Sequence, residues 1–520
     1  MDSSSHQPPT PGQSARPSPL ARARAGGEVL RALGGYALLP PRSLAFLLSR
    51  RRRLAEFEGL LGTAREPDPV PALAPDAPFH ARPMRLFLSC AEASGQGHAV
   101  RLLAALREHL AAVGAPLPEV RGLGGAPLAA AGVELLGDPV QRATMGLSGV
   151  AASLSFYTDL LARTDDCFST WHPDLFLPVD SPALHIPMAR SARRAGVPVL
   201  HHVTPQFWAW APWRLDAYAR AVDLATSILP FEPPWFAARG VSVAHVGHPL
   251  MDALSDSMDS ERDAPEDYTE DYAVNAPEDR RSDTRAGAGS HPAGHGAGRP
   301  AGADAPLVLL PGSRAGVMAR NLPWMLETLN GLAAAGHKLP AVRILSGSQE
   351  HRPLLDSIVA DWNNTAALDL CVVCGDLHGN LARARAAFSV SGTILLDLLH
   401  QRLPTVVIYR LGTAREEWLY RHALSTPWFS SVNLLAGEAV LPEFCFHGEG
   451  PRAAVAAALS RALFDTASRA ACAVGLARAA ANIGGPGAAR RAAGHALALA
   501  AGPGPGAGRG KAPGGAQHHG

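Results

Sequence analysis

Three turns in this chain combine residue types that suit group transfer. Asp180 closes the apolar run PDLFLPVDSP (173–182). A carboxylate at the mouth of a parallel sheet can take the proton of an attacking hydroxyl; the plainer reading is a cap for the helix that follows. Arg314 closes LVLLPGSR (307–314), with Gly312 and Ser313 in the turn before it. Its planar fork suits a diphosphate gripped through two parallel hydrogen bonds. Ser391-Gly392-Thr393 overlaps the end of the run AAFSVSG (386–392) and precedes an apolar helix. Backbone N–H groups and two hydroxyls at a helix start suit phosphate, and Asp397 one turn further suits the hydroxyls of a ribose.

Two further stretches stand out. SCAEASGQGHA (89–99), with Glu92, Ser94 and Gly95, is a strand-to-helix turn of small residues that lets a ligand approach the backbone. HHVTPQFWAWAPWR (201–214) packs Trp208, Trp210 and Trp213 into six positions, which fits either sugar stacking or packing between domains. His201-His202 has no third ligand at a suitable spacing and no zinc signature occurs, so no metal is expected. Cys371 and Cys374 match C-x-x-C inside an apolar strand, where positions three apart face opposite sides.

Such turns need strands that stop at a common edge. MRLFLSC (84–90), DLFLPVD (174–180), VPVLHHV (197–203) and SVAHVGH (242–248) read as strands of a first block. LVLLPGSR, AVRILSG (341–347), LDLCVVCG (368–375), AAFSVSG and PTVVIYR (404–410) read as strands of a second. Helical stretches alternate with them; Leu102, Leu103, Leu106 and Leu110 form one apolar stripe. The fold class expected is α/β, with two Rossmann-like parallel-sheet domains and ligands at the carboxyl ends of the strands.

With 51 glycines and 45 prolines among 520 residues, the surplus of these two types concentrates outside these blocks. The organisation expected is a mostly disordered basic tail and linker over 1–83, an N-terminal domain over 84–254, an acidic then Gly/Pro-rich linker or insertion over 255–306, a second domain over 307–500 and a disordered tail over 501–520. The apolar stretch within 28–61 is broken by Pro40, Pro41 and Arg42, too short for a span. It reads either as a membrane-surface helix or as a helix packed on the body. Lys+Arg 47 against Asp+Glu 46 leaves +1, so no global field draws nucleic acid. Six cysteines in this length are no disulfide scaffold and fit a reducing, cytoplasmic setting.

Ten ordered stretches carry a resemblance. They are AEASG (91–95), GLGGAPLAAAGVELL (122–136), MGLSGV (145–150), PDLFLPVDSP, HHVTPQFWAW (201–210), ILPFE (228–232), VGHPL (246–250), LLPGSR (309–314), SGTILLD (391–397) and VNLLAGEAVLPEF (432–444). In these the chain resembles the lipid-A-disaccharide synthases, glycosyltransferase family 19 of Gram-negative outer-membrane biosynthesis. The resemblance implies a GT-B arrangement of two domains across a cleft, without a metal or other cofactor. It implies an inverting transfer from UDP-2,3-diacylglucosamine to 2,3-diacylglucosamine 1-phosphate, giving the β-1,6 disaccharide 1-phosphate and UDP. Asp180 is then the general base and Arg314 the diphosphate neutraliser. Gly312, Ser313, Arg314, Ser391, Gly392, Thr393, Asp397 and Asn433 would hold the nucleotide sugar. Glu92, Ser94, Gly95, Trp208, Trp210 and His248 would line the acceptor side of the cleft. The implied setting is peripheral, on the cytoplasmic face of the inner membrane, and compatible with a homodimer. The stretch 145–161, with Phe156, Tyr157 and Leu160, reads as a membrane-facing patch or a core helix. Gln96, Gly149, Val317, Ala183, Asp397 and Phe446 depart from the family pattern. Another GT-B sugar-nucleotide enzyme with an altered acceptor and a non-catalytic UDP-sugar-binding paralogue share the same motifs.

Overall fold

Thirteen strands, all paired in parallel, form two sheets in a computed structural model that describes residues 16–37, 39–73, 77–144, 150–253, 255, 302 and 305–502. The first sheet holds β1 (Arg85–Cys90), β2 (Glu119–Leu123), β3 (Glu134–Gly137), β4 (Leu175–Val179), β5 (Leu200–His202), β6 (Leu224–Ser227) and β7 (Val243–His245). Their order is β3-β2-β1-β4-β5-β6-β7. The second holds β8 (Leu307–Leu310), β9 (Val342–Ser346), β10 (Leu370–Cys374), β11 (Ala386–Val390), β12 (Thr405–Leu411) and β13 (Glu443–His447), in the order β10-β9-β8-β11-β12-β13.

Both orders reverse direction once, between β1 and β4 and between β8 and β11. Loops leaving neighbouring strands diverge there and open a crevice at the carboxyl edge, where open α/β sheets bind ligands. Asp180 follows β4 and Glu92 follows β1; Arg314 follows β8 and Ser391 follows β11. The four turns singled out by residue chemistry therefore lie in pairs at the two switch points.

Burial explains why these runs become strands. Every residue of β4, β8 and β11 is buried, as expected of strands covered on both faces. One face of the first sheet packs Leu86 and Leu88 against the stripe Leu102, Leu103, Leu106 and Leu110. The other packs Phe87 edge to face with Phe168 and Phe176, which meet each other at a tilt. The helix that contains Phe156, Tyr157 and Leu160 contributes them to this core, so its core-helix reading holds from residue 156 on; residues 145–149 lie outside the described residues.

The chain crosses between domains at its end. Helix Ala488–Ala501 buries Ala492, Ala493, Ala496 and Leu497 in the core of the first domain, against helix Ala93–Ala112. Asp252 accepts the N–H groups of Gly487, Ala488 and Ala489 at its start. The domain expected to run from 307 to 500 thus gives its last helix to its neighbour.

The expectation of a mostly disordered front end is corrected from residue 19 onward. Pro19–Ala37 and Leu39–Glu58 are helices. Pro40 and Pro41 fall in the first turn of the second, where N–H groups have no intrahelical acceptor anyway. Buried Glu28 accepts from Arg190 at 2.5 Å and Arg194 at 3.0 Å, and Asp165 pairs with Arg24 and Arg194. Phe57 lies flat on Trp208, with ring centres 5.1 Å apart. An Ala/Arg-rich helix held by tertiary ion pairs shows little apolar periodicity, which is why composition read it as a tail. Residues 256–301, 303–304 and 503–520, where linker and tail were expected, lie outside the described residues. No helix among the described residues is long and apolar enough to cross a membrane.

Candidate active site

Asp180 and Ser181 both adopt left-handed backbone, with φ of +52° and +47°. Non-glycine residues pay for that conformation, and it persists where the surroundings hold it. Here the holders are histidines. The Asp180 carbonyl accepts from His201 Nε2 at 2.9 Å and from His185 Nδ1, while the Asp180 N–H donates to the His202 carbonyl at 2.9 Å. With one ring nitrogen donating, each imidazole must accept at the other. His185 Nε2 takes the Ser89 hydroxyl at 2.9 Å, and His201 Nδ1 takes the Tyr218 hydroxyl at 3.0 Å. Burial keeps both rings neutral, pushing His185 down to about 3 and His201 to about 4. It also keeps Tyr218 protonated as a donor. Two neutral imidazoles thus clamp one carbonyl and fix the turn that carries the candidate base.

Burial raises the Asp180 carboxyl above its ordinary value, opposed by a backbone hydrogen bond from Ser181. A raised carboxylate is the stronger base. Ser181 Oγ donates to Glu92 Oε1 at 3.1 Å, tying the loop after β4 to the loop after β1. Gly95, in the first turn of the helix after Glu92, lies so close to the sheet that a Cβ there would stand 2.9 Å from Cys90 Sγ. Ser94 belongs by backbone to the same first turn. Gln96, a departure from the family pattern, braces a neighbouring loop, its Oε1 accepting the Gly125 N–H at 2.9 Å.

These buried imidazoles predict acid lability. His185, His201, His202 and His248 are all held well below the ordinary value of 6.5 by burial. The unfolded chain binds more protons below that value, so stability present above it is lost as pH falls toward about 4. Glu232 acts oppositely: burial pushes it up to about 7, so its protonation on acidification favours the fold. Asp180, Asp397 and Glu443, also raised by burial, act with Glu232. His98, His245, His400 and His495 are lowered as well, so the imidazoles outnumber these carboxyls and dominate. The midpoint of thermal unfolding should be lower at pH 5 than at pH 7.5 in matched salt; an equal or higher midpoint at pH 5 would contradict this reading.

In the second domain Gly312 has a φ of +131°, and a Cβ there would come within 2.6 Å of the Val317 side chain. Ser313 and Arg314 are exposed. The Arg314 carbonyl accepts from Val317 and Met318 as helix Ala315–Ala334 begins. Its guanidinium makes no ion pair among the described residues, so its charge is uncompensated at the mouth of β8. Next to β8, the loop after β11 places Gly392 in open space and Thr393 at the start of helix Ile394–His400. Asp397 is largely buried, 3.9 Å from His378, and burial raises its carboxyl while His378 lowers it.

Two predicted site residues do other work. Asn433 is fully buried with its amide completely used. Nδ2 donates to the Leu441 carbonyl at 2.9 Å and to Glu443 Oε2 at 3.1 Å, while Oδ1 accepts from Val440 and Leu441. Glu443 also accepts the N–H groups of Phe429 and Ser430. The nucleotide-contact expectation for Asn433 is therefore corrected: no donor or acceptor is left for a ligand, and the side chain braces the loop between helix Ser431–Ala436 and β13. Asn433→Ala strands several buried groups at about 1–3 kcal/mol each, so thermal unfolding should drop by about 5 °C or more. An unchanged midpoint would contradict the bracing role. Trp208, expected in the cleft, is 4% exposed between Phe57 and Phe231. Its Nε1 donates to Glu232 Oε1, and its carbonyl accepts from Ser425 of the second domain at 2.6 Å. The interdomain-packing alternative applies to it, because its ring is buried against Phe57 and Phe231. Trp210, in contrast, is 49% exposed, with Arg214 over its ring. His248 is buried, its Nδ1 accepting the Leu250 N–H, and stays neutral beside His98.

Reading residues alone missed His185 and His201 as positioning groups. The available signal was a histidine five residues after Asp180 on an otherwise apolar helix face, and another in the middle of β5.

The family model described as lipid-A-disaccharide synthetase matches residues 86–277 and 301–475. The lipid-A-disaccharide synthase of Myxococcus xanthus is 31% identical over 79% of this chain and 96% of that relative. The one from Syntrophus aciditrophicus is 30% identical over 79% and 97%. Among solved structures, the UDP-GlcNAc 2-epimerase of Neisseria meningitidis aligns with a TM-score of 0.46 and 11% identity, over 75% of this chain and 94% of that one. With the family model matching strands of both sheets and relatives at about 30% identity covering most of the chain, the chain belongs to the lipid-A-disaccharide synthetase family and is a glycosyltransferase of lipid A synthesis.

Proposed function

We propose that the two switch points are the two halves of one transfer site. The acceptor is 2,3-diacylglucosamine 1-phosphate and the donor UDP-2,3-diacylglucosamine. The acceptor 6-hydroxyl attacks the anomeric carbon of the donor; its proton passes to the Asp180 carboxylate, and the bond from that carbon to the UDP oxygen breaks. Inversion follows from displacement at the opposite face. Negative charge grows on the departing diphosphate and is met by Arg314 with the turn groups of Ser313, Ser391, Gly392 and Thr393. Asp397 would serve the ribose. Glu92, bonded to Ser181, sets the acceptor side together with Gly95 and Trp210.

The observation that carries this reading is the clamped Asp180-Ser181 turn, a strained conformation held by two buried imidazoles beside a carboxyl of raised basicity. A guanidinium and backbone donors are enough to neutralise a diphosphate, so we infer turnover without a divalent cation. The reading places the enzyme at the cytoplasmic face of the inner membrane, where both lipid substrates reside. The test is UDP release from both lipid sugars in detergent micelles, with and without EDTA. Equal rates are expected; loss on EDTA and recovery on adding magnesium would overturn the metal-free mechanism.

A further inference from the structure

Helix Leu39–Glu58 turns one face inward, burying Phe46 and Phe57. Its opposite face holds Leu44, Leu47, Leu48, Arg51 and Arg52, all exposed and repeating every three or four residues. Leu44 is 59% and Leu48 80% exposed. Beside it packs helix Ala414–Ala423, fastened by Arg50 Nε donating to the Leu424 carbonyl at 2.7 Å. That helix presents Trp418 at 55% and Leu419 at 54% exposure. Its acidic residues are engaged locally: Glu416 closes a capping box with Thr413, and Glu417 pairs with Arg421. Exposed leucines and a tryptophan, adjoined by guanidiniums, are an uncommon surface on a protein that stays in water.

We propose that these two helices form a docking face for an anionic phospholipid membrane. The charge selects the occupant. Arg51 and Arg52 have no ion-pair partner among the described residues, and they flank leucines that can enter the acyl boundary while guanidiniums meet lipid phosphates. Helix Leu39–Glu58 lies outside the stretch matched by the family model, whereas helix Ala414–Ala423 lies within it. The face also adjoins the tryptophan loop of the cleft: Phe46 meets Trp213 edge to face at 6.1 Å, and Phe57 stacks on Trp208. Its purpose rests on the proposed lipid substrates, since docking there would hold the cleft loop close to the bilayer that contains them.

The test uses the full chain with vesicles of phosphatidylethanolamine and phosphatidylglycerol, and with vesicles of phosphatidylcholine alone. The parent should sediment with the anionic vesicles, and added salt should weaken the binding. Leu44→Asp/Leu48→Asp and Arg51→Glu/Arg52→Glu should each lower partitioning by about tenfold or more, while UDP release from detergent-dispersed substrates stays at the parent rate. Partitioning of both variants equal to the parent would overturn the proposal. So would self-association of the parent that Leu44→Asp/Leu48→Asp abolishes, because the face would then belong to a second copy. The two readings fail separately: vesicle binding tests the face, and detergent turnover tests the transfer site.

Discussion

Asp180→Asn is expected to lower kcat by about 100-fold to 10 000-fold while leaving UDP affinity within a factor of two, because a general base contributes rate in that range and the amide keeps its size. The fold should survive, since the clamp on this turn acts through the Asp180 backbone: His185 and His201 donate to its carbonyl, and its N–H donates to His202. The raised carboxyl adds a pH signature. Only the ionised form accepts a proton, so kcat/KM should rise with pH through a value above that of an ordinary aspartate. Paired measurements of kcat and of UDP binding by calorimetry separate the roles. A variant as active as the parent would remove Asp180 from the mechanism; a variant that loses UDP binding would reassign it to the nucleotide.

Arg314→Ala should show the converse pattern. A hydrogen bond to a charged group contributes about 1.5–3 kcal/mol, which is about 10-fold to 150-fold in UDP affinity. Stability should change little, because the side chain is exposed and makes no ion pair among the described residues, while the helix start it occupies is built by its backbone. Arg314→Lys should recover only part of the loss, since an ammonium lacks the planar fork. Unaltered affinity for UDP in the alanine variant would place the diphosphate elsewhere.

Much of the fold could be read from the residues because parallel strands buried on both faces announce themselves as continuous apolar runs. β1, β4, β8 and β11 all did, and these are the strands that frame the two switch points. β2 and β3 did not: EVRGL and ELLG are short, carry charges and lie toward the sheet edge. Asp180 and Arg314 were legible because each ends its strand run in sequence. The clamp on Asp180 was not, since His201 reaches its carbonyl across 21 positions and the left-handed turn exists only once β4 and β5 are paired. Asn433 misled for the complementary reason. A polar residue in a family stretch suggested ligand contact, yet all its hydrogen-bonding capacity goes to residues seven to ten positions onward. The front helices hid because ion pairs such as Glu28 with Arg190 leave no periodic trace.

One measurement tests the central claim, that the clamped Asp180 turn and Arg314 are halves of a single transfer site. The purified chain is incubated in detergent micelles with UDP-2,3-diacylglucosamine and 2,3-diacylglucosamine 1-phosphate, and UDP and disaccharide phosphate are quantified together. The two products should appear in equal amounts, only when both lipids are present, and in neither the Asp180→Asn nor the Arg314→Ala sample at the parent rate. UDP formed without the acceptor, or donor bound without either product, would contradict it.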